Sequence, residues 1–250
     1  MRPPTSTGKE RLDLILLQRG LFDSREKARA VILSGSVLVN GIRVDKAGAE
    51  VDRDSEIVLT SAASPFASRG GEKLAAALDG FGVDVHDMTI LDVGASTGGF
   101  TDCLLAAGAA RVYALDVGYG QLAWRLRNDE RVIVIERTNI RYAKKTDFAH
   151  RIDGAVIDVS FISLRLVLPV VHDIVRPAGF IVALIKPQFE VGRGDVGKGG
   201  VVRNPEKHRE VTLGISACAR DIGLSVLGTI ESPLLGPKGN KEFFIYLKKE

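Results

Sequence analysis

The stretch Thr89-Ile90-Leu91-Asp92-Val93-Gly94-Ala95-Ser96-Thr97-Gly98-Gly99-Phe100-Thr101 reads as a strand, a turn of small residues and the start of a helix. Three chemistries use such an element. A nicotinamide site asks for G-x-G-x-x-G, so that the backbone can approach a pyrophosphate, and Ser96 stands where the second glycine is needed. A serine hydrolase asks for G-x-S-x-G on a strand-turn-helix. Gly94-Ala95-Ser96-Thr97-Gly98 matches it, with acids and His208 following in the right order. That strand opens its sheet, however, and no earlier strand supplies the usual second oxyanion donor.

The third chemistry is set by acids around the same turn. Asp92 precedes it, where a carboxylate can hold an ammonium, directly or through water. Asp116 ends the second strand, Val112-Tyr113-Ala114-Leu115-Asp116, where it can take ribose hydroxyls, and Asn139 follows a third strand, placed to meet adenine. Such acids repel a pyrophosphate but suit the positive sulfonium of S-adenosylmethionine. The residues expected to hold that cofactor are Asp92, Gly94, Ser96, Gly98, Gly99, Phe100, Asp116 and Asn139. A second glycine loop, Gly192-Arg193-Gly194-Asp195-Val196-Gly197-Lys198-Gly199, is one residue from a phosphate-binding P-loop. Gly199 replaces the Ser or Thr that binds magnesium, so the segment reads as a loop near the active site.

Four further residues belong to the same edge. Asp158 ends Ala155-Val156-Ile157-Asp158, Lys186 ends Val182-Ala183-Leu184-Ile185-Lys186 and precedes a proline, and Glu242 begins the last strand. Lys73, in Arg69-Gly70-Gly71-Glu72-Lys73-Leu74, opens the helix that leads into the sheet. In an open α/β sheet, ligands bind outside the carboxyl ends of the strands. Two lysines and two carboxylates would therefore converge above the cofactor.

Positioning them requires strand–helix alternation. Strands are expected at 89–93, 111–116, 132–135, 155–159 and 180–185, with helices between them and another helix near 204–222. Leu224–Ile230 and Glu242–Leu247 follow without a helix between them, which predicts an antiparallel pair at the sheet edge. Residues 9–60 have another grammar: a helical stripe from Arg11 to Leu17 that stops near Gly20, Ser24 capping a helix to Leu33, and a hairpin across Asn40-Gly41. A strand at Glu56–Leu59 closes that segment, and 61–68, small, polar and broken by Pro65, reads as a linker.

Composition bounds the rest. The 250 residues are 45% hydrophobic and 26% charged, as in an ordinary soluble protein. No run reaches the roughly 18 apolar residues of a membrane span, and the first eight residues lack a signal-peptide core, so a cytoplasmic protein is expected. Cys103 and Cys218 fit a reducing compartment and apolar packing, and His86, His150, His172 and His208 are too scattered for zinc, so no metal is expected. Net charge is +3, with eight Lys or Arg against four Asp or Glu between Arg125 and Arg151, a candidate phosphate footprint or a solvated face.

The front segment resembles the RNA-binding domain first seen in ribosomal protein S-four, through Arg-Leu-Asp, Gly20-Leu21-Phe22-Asp23-Ser24-Arg25-Glu26-Lys27-Ala28 and Gly35-Ser36-Val37-Leu38-Val39-Asn40-Gly41. That resemblance implies shape and phosphate recognition of RNA by the second helix, with Arg19, Arg25, Lys27 and Arg29 as the docking charges. The remainder resembles the FtsJ-like ribose methyltransferases, through Ser68-Arg69-Gly70-Gly71-Glu72-Lys73-Leu74, Asp158-Val159-Ser160-Phe161-Ile162-Ser163-Leu164, Leu184-Ile185-Lys186-Pro187-Gln188-Phe189-Glu190 and Gly197-Lys198-Gly199-Gly200-Val201-Val202. The combination is similar to the TlyA-type family, named for hemolysis but acting on ribosomal RNA.

The resemblance implies a Lys-Asp-Lys-Glu tetrad of Lys73, Asp158, Lys186 and Glu242. It also implies S-adenosylmethionine as cofactor, cytidine 2′-hydroxyls of ribosomal RNA or ribosomal subunits as substrate, and no stable membrane association. The fold expected is a Rossmann-like class I methyltransferase, a mostly parallel seven-stranded sheet with an antiparallel edge strand, over 69–250, behind a small α+β domain over 1–60. Lysine suits the reaction because a ribose hydroxyl is a poor acid. Lys186 would stabilise the developing oxyanion or, if neutral, accept the proton. A membrane-active hemolysin would need an apolar insertion element, and none is found. A non-catalytic RNA-binding factor would not need the tetrad.

Overall fold

Leu12 and Leu16, and then Ala28 and Ile32, recur four residues apart, so each pair lies on one helical face. In the computed structural model, which describes residues 8–33, 35–59, 64–197 and 199–250, these faces belong to α1 (Leu12–Gln18) and α2 (Arg25–Leu33). They close on Val37, Val39 and Ala47. Ser24 caps α2, its Oγ accepting from the Lys27 amide at 3.2 Å. β2 (Val37–Val39) and β3 (Ile42–Arg43) form the expected hairpin, with Asn40 at φ 51° and Gly41 at φ 76°. β5 (Ile57–Leu59) lines the other side of β2.

One further pairing joins β1 (Lys9–Arg11) to β4 (Glu50–Asp52), antiparallel. Both segments are three residues long, charged and without apolar alternation, so only the pairing itself makes them strands. Beside them Asp13, fully buried, takes ion pairs from Arg11 and Arg25 at 2.9 Å each. Hydrogen bonding from Arg11, reinforced by Arg25, outweighs burial and holds the Asp13 carboxyl down at about 2.

The chain divides into two compact units, Met1–Glu72 and Lys73–Glu250. Residues 60–63, within or beside the expected linker, lie outside the described residues. After α3 (Gly70–Phe81) come β6 (Thr89–Val93), α4 (Gly99–Ala106), β7 (Arg111–Leu115), α5 (Trp124–Arg127) and β8 (Val132–Ile135). Next follow β9 (Ile152–Ile157), α6 (Leu164–Ile174), β10 (Val175–Ile185), α7 (Pro187–Glu190), α8 (Pro205–Asp221), β11 (Leu224–Glu231) and β12 (Phe243–Lys249). The sheet runs β11-β12-β10-β9-β6-β7-β8. β12 is antiparallel to both neighbours, and the run from β10 to β8 is parallel. Val93, Ile157, Ile181, Ile185 and Ile245 are fully buried, as a sheet covered on both faces requires.

Two strands begin well before the expected limits. β9 and β10 begin earlier, at Ile152 and Val175, because Asp153 is anchored twice: it accepts from the Thr89 amide at 2.9 Å and from Arg176 Nε at 2.7 Å. That holds 152–154 alongside β10, with a register shift between Val175 and Phe180. β9 also stops at Ile157, so Asp158 lies just past the strand with its backbone amide still held by β6.

Because the folded Asp13 carboxyl lies below its ordinary 3.8, its contribution is present above that pH and lost as pH falls toward about 2. Asp13→Asn should cost on the order of 1–2 kcal/mol at pH 7, discounted for the half-exposed guanidinia. The variant should lose amide-exchange protection across 12–18 at pH 7 and match the parent near pH 2.

Candidate active site

Strand register assembles the site. Val93 on β6 is opposite Ile157 on β9 and Leu115 on β7, so Gly94, Asp158 and Asp116, each one residue further, leave the sheet side by side. The Asp158 amide donates to Val93 O at 2.9 Å, and the Gly94 amide to Leu115 O at 2.8 Å. On the other flank Ile185 is opposite Phe243 across an antiparallel pair. Lys186 follows the one and Glu242 precedes the other, so both stand at the same edge.

The four tetrad residues form two ion pairs. Lys73 Nζ, on the first turn of α3, lies 2.6 Å from Glu242 Oε2, with only 9% and 0% of the two side chains exposed. Lys186 Nζ lies 2.6 Å from Asp158 Oδ1 and donates to Ser160 Oγ at 3.0 Å. Glu190, in α7, accepts from Ser163 Oγ at 2.6 Å and from the Leu164 amide at 2.7 Å. It thereby caps α6 and ties the loop carrying Asp158 to the one carrying Lys186. Burial pushes its carboxyl above the usual carboxylate range.

The turn after β6 is tightly closed. Gly94 has φ 88°, and a Cβ there would lie 2.6 Å from Asp158 O; Gly98 has φ 95°, and a Cβ there would lie 2.3 Å from Leu126 Cδ1. Ser96 is also left-handed, at φ 49°, because its amide is drawn to Asp116 Oδ2 at 2.8 Å. Asp116 Oδ1 accepts from the Gly118 amide at 2.6 Å. Each carboxylate oxygen keeps a further lone pair. Asn139 lies beyond β8, its Oδ1 capping a short 3-10 turn through the Arg141 amide at 3.1 Å. Gly99 begins α4 and is buried. Phe100 is 3% exposed with its ring centroid 6.2 Å from that of Phe244, so only its backbone can face a ligand.

Asp92 is fully buried and accepts from Thr101 Oγ1 at 2.6 Å through Oδ2, while Oδ1 has no hydrogen-bond partner among the described residues. Burial foremost, and the charges of Asp158 and Asp116 with it, push its carboxyl up to about 7. An orphaned buried oxygen asks for a donor. Together with the glycine cradle and Asp116, it fits the ammonium, chain and ribose of S-adenosylmethionine. The hydrolase arrangement is not formed: Ser96 Oγ lies 3.4 Å from Gln121 Oε1, and buried His208 holds Val202 O at 2.8 Å.

The docking charges divide. Arg19 spans the carbonyls of Arg53 and Ser55, and Arg25 is bound to Asp13, so both build the front unit. Lys27 pairs with Asp23 at 2.6 Å on the open surface, and Arg29 is exposed with no ion pair among the described residues. In the second basic run Arg125, Arg127 and Arg131 are taken by Asp102, Glu136 and Asp129. Arg137, Arg141, Lys144, Lys145 and Arg151 stay exposed, with Arg137 stacked 4.1 Å over Tyr119.

The sequence pattern gives no role to Thr101, Ser160 and Glu190, which lie within the motifs, or to Asn240, a buried neighbour of Glu242. Hydroxyls and a lone amide are too common for type and spacing to single them out. Among the described residues no helix is long and apolar enough to cross a membrane.

Comparison with known proteins gives the family. Residues 10–57 match the S4 domain and residues 66–249 the FtsJ-like methyltransferase family. The 16S/23S rRNA (cytidine-2′-O)-methyltransferase TlyA of Mycobacterium tuberculosis is 45% identical over 243 residues, 97% of this chain and 91% of that protein. Hemolysin A of Brachyspira hyodysenteriae is 41% identical over 237 residues, 94% and 98%. A solved structure described as a hemolysin, from Streptococcus thermophilus, superposes with a TM-score of 0.77 at 46% identity, covering 98% of this chain and 90% of that one. The chain belongs to the FtsJ-like methyltransferase family and carries an S4 domain in front of the catalytic fold.

Proposed function

We infer that this protein transfers a methyl group from S-adenosylmethionine to a cytidine ribose 2′-hydroxyl of ribosomal RNA, in the cytoplasm. Residues 1–60 dock the RNA, 61–68 link, and 69–250 carry out the chemistry. The observation that carries the reading is the Lys186–Asp158 pair, at 2.6 Å, with Asp158 one residue past the end of β9 beside the Gly94 turn and Lys186 one residue past the end of β10.

When bound, the cofactor supplies a methyl group already activated on sulfur. This chain supplies alignment and charge. A lysine ammonium carries three donors. Ser160 takes one from Lys186, Asp158 Oδ1 lies 2.6 Å away as an ion-pair partner without an aligned hydrogen bond, and a donor is left for an incoming hydroxyl. There it stabilises the negative charge that develops on oxygen as the proton leaves. Asp158 and Ser160 hold the ammonium in place, and Glu190 holds their loop. Lys73 and Glu242 form a second, almost dry pair that anchors α3 against the start of β12. Asp92 takes the cofactor's ammonium and Asp116 its ribose. The exposed cations Lys27 and Arg29 of the front unit meet phosphate, and the catalytic unit has exposed cations of its own in Arg137, Arg141, Lys144 and Lys145.

Lys186→Ala should lower methyl transfer to rRNA by roughly 100-fold or more, with cofactor affinity and melting temperature near the parent's, because Asp158 can rehydrate. Lys186→Arg keeps the charge but cannot give up a proton, so measurable turnover in it would rule out an obligatory neutral-lysine base. Lys73→Ala should behave differently, losing roughly 3–5 kcal/mol of stability because Glu242 is left charged and buried.

Cofactor binding should be pH-dependent. Asp92 must give up its proton to pair with an ammonium, so affinity should rise with pH through about 7 and fall again as the cofactor's own amine loses its proton, at about 8. Calorimetry in two buffers of different ionisation enthalpy should detect the proton that Asp92 releases below about 7, and Asp92→Asn should flatten the rising limb. At the front unit, Lys27→Glu with Arg29→Glu should weaken RNA binding and make its logarithmic salt slope shallower by about two phosphate contacts, leaving cofactor affinity unchanged.

A further inference from the structure

The segment between β11 and β12 holds a glycine that backbone conformation does not explain. Gly236 is not among the left-handed glycines, so any residue could adopt its φ. What it lacks is room. A Cβ at Gly236 would lie 2.0 Å from Glu242 Oε1 and 2.5 Å from Glu242 Cδ. Contacts under 3.0 Å force something to move.

Glu242 cannot yield without loss. Its Oε2 holds Lys73 at 2.6 Å, whereas Oε1, pressed against Gly236, has no hydrogen-bond partner among the described residues. No donor therefore fixes that half of the carboxylate. Its orientation is set by Lys73 on one side and by the bare backbone of Gly236 on the other.

The turn that presents Gly236 is itself pinned. The Gly236 amide donates to Asn240 O at 2.8 Å, and the Ser232 amide donates to Glu242 O at 2.8 Å. Asn240, 3% exposed, accepts from the Val202 amide through Oδ1 and donates to Gly200 O through Nδ2, both at 3.0 Å. The glycine loop that resembled a P-loop is thus clipped, at its far end, to the turn that shapes the tetrad carboxylate.

We propose that residues 236–240 are a positioning element of the methyl-transfer site, in which Gly236 leaves the space that orients Glu242 toward Lys73 and Asn240 locks that turn to residues 200–202. This rests on the reading of Glu242 as a tetrad member. Gly236 and Asn240 are positioning residues that act through Glu242.

The experiment is a double-mutant cycle on the full chain, with steady-state methylation of rRNA, S-adenosylmethionine affinity by calorimetry and thermal unfolding as readouts. Gly236→Ala should lower kcat between tenfold and about 100-fold, as small misplacements of catalytic groups do, with KM for RNA and cofactor affinity within about twofold. Glu242→Asp removes one methylene from the crowded side chain. In the Gly236→Ala/Glu242→Asp double variant kcat should equal that of Glu242→Asp alone, which a general loss of folding would not produce. If Gly236→Ala does not fold, the double variant still reads the same relation. Independent, multiplying losses overturn the proposal, as does parental kcat in Gly236→Ala while Glu242→Gln is inactive. Parental turnover in Glu242→Gln removes Glu242 from the tetrad and the proposal with it.

Discussion

Ile185 on β10 and Phe243 on β12 face each other across an antiparallel pair, and nearly everything at the site follows from that register. A parallel final strand would begin at the opposite end of the sheet. Reversal brings the residue before β12 to the edge where β10 and β9 end, so Glu242 meets Lys73 beside Lys186 and Asp158. The parallel strands do the same for the cofactor turn, because Val93, Ile157 and Leu115 are in line. Hydrogen-bond ladders are rigid and closely spaced, so catalytic alignment is set to within a fraction of a residue before any side chain acts.

Charge burial divides the site into two kinds of pair. Lys73 and Glu242 are almost wholly withdrawn from water, a state that each tolerates only through the other. Lys186 faces a carboxylate that keeps 24% exposure, and its ammonium has a donor to spare. The dry pair is suited to holding α3 and β12 together, and the wetter pair to meeting a substrate. Asp92 is a third case, a carboxylate fully buried with one oxygen unbonded and its proton affinity raised accordingly. Under the proposed function, the ammonium of the cofactor would offset that cost.

The front unit spends much of its basic charge on itself. Arg11 and Arg25 converge on buried Asp13, and Arg19 closes over the carbonyls of Arg53 and Ser55. A hydrophobic core of about seven residues is small, and these contacts hold short strands that burial alone would not. Among the described residues, Lys9, Lys27, Arg29, Arg43 and Lys46 stay exposed on that unit, charges of the kind that meet phosphate rather than base edges.

Type and spacing determined a good deal without coordinates. Apolar runs of strand length separated by helical periods required a parallel sheet, and small residues after the first strand required a close ligand. Asn40-Gly41 required a hairpin, since both turn positions need positive φ. Asp92, Asp116, Asp158, Lys186 and Glu242 were legible because each sits at a strand end, where chain position nearly fixes spatial position. Only the tertiary structure decided what depends on residues far apart in the chain. Which lysine pairs with which carboxylate, that Phe100 turns into the core, that Arg19 and Arg25 are structural, and that Gly236 makes room for Glu242 are all such matters. None has a local signature, because side-chain partnership is set by where packed elements bring atoms together, and a sequence records only their order.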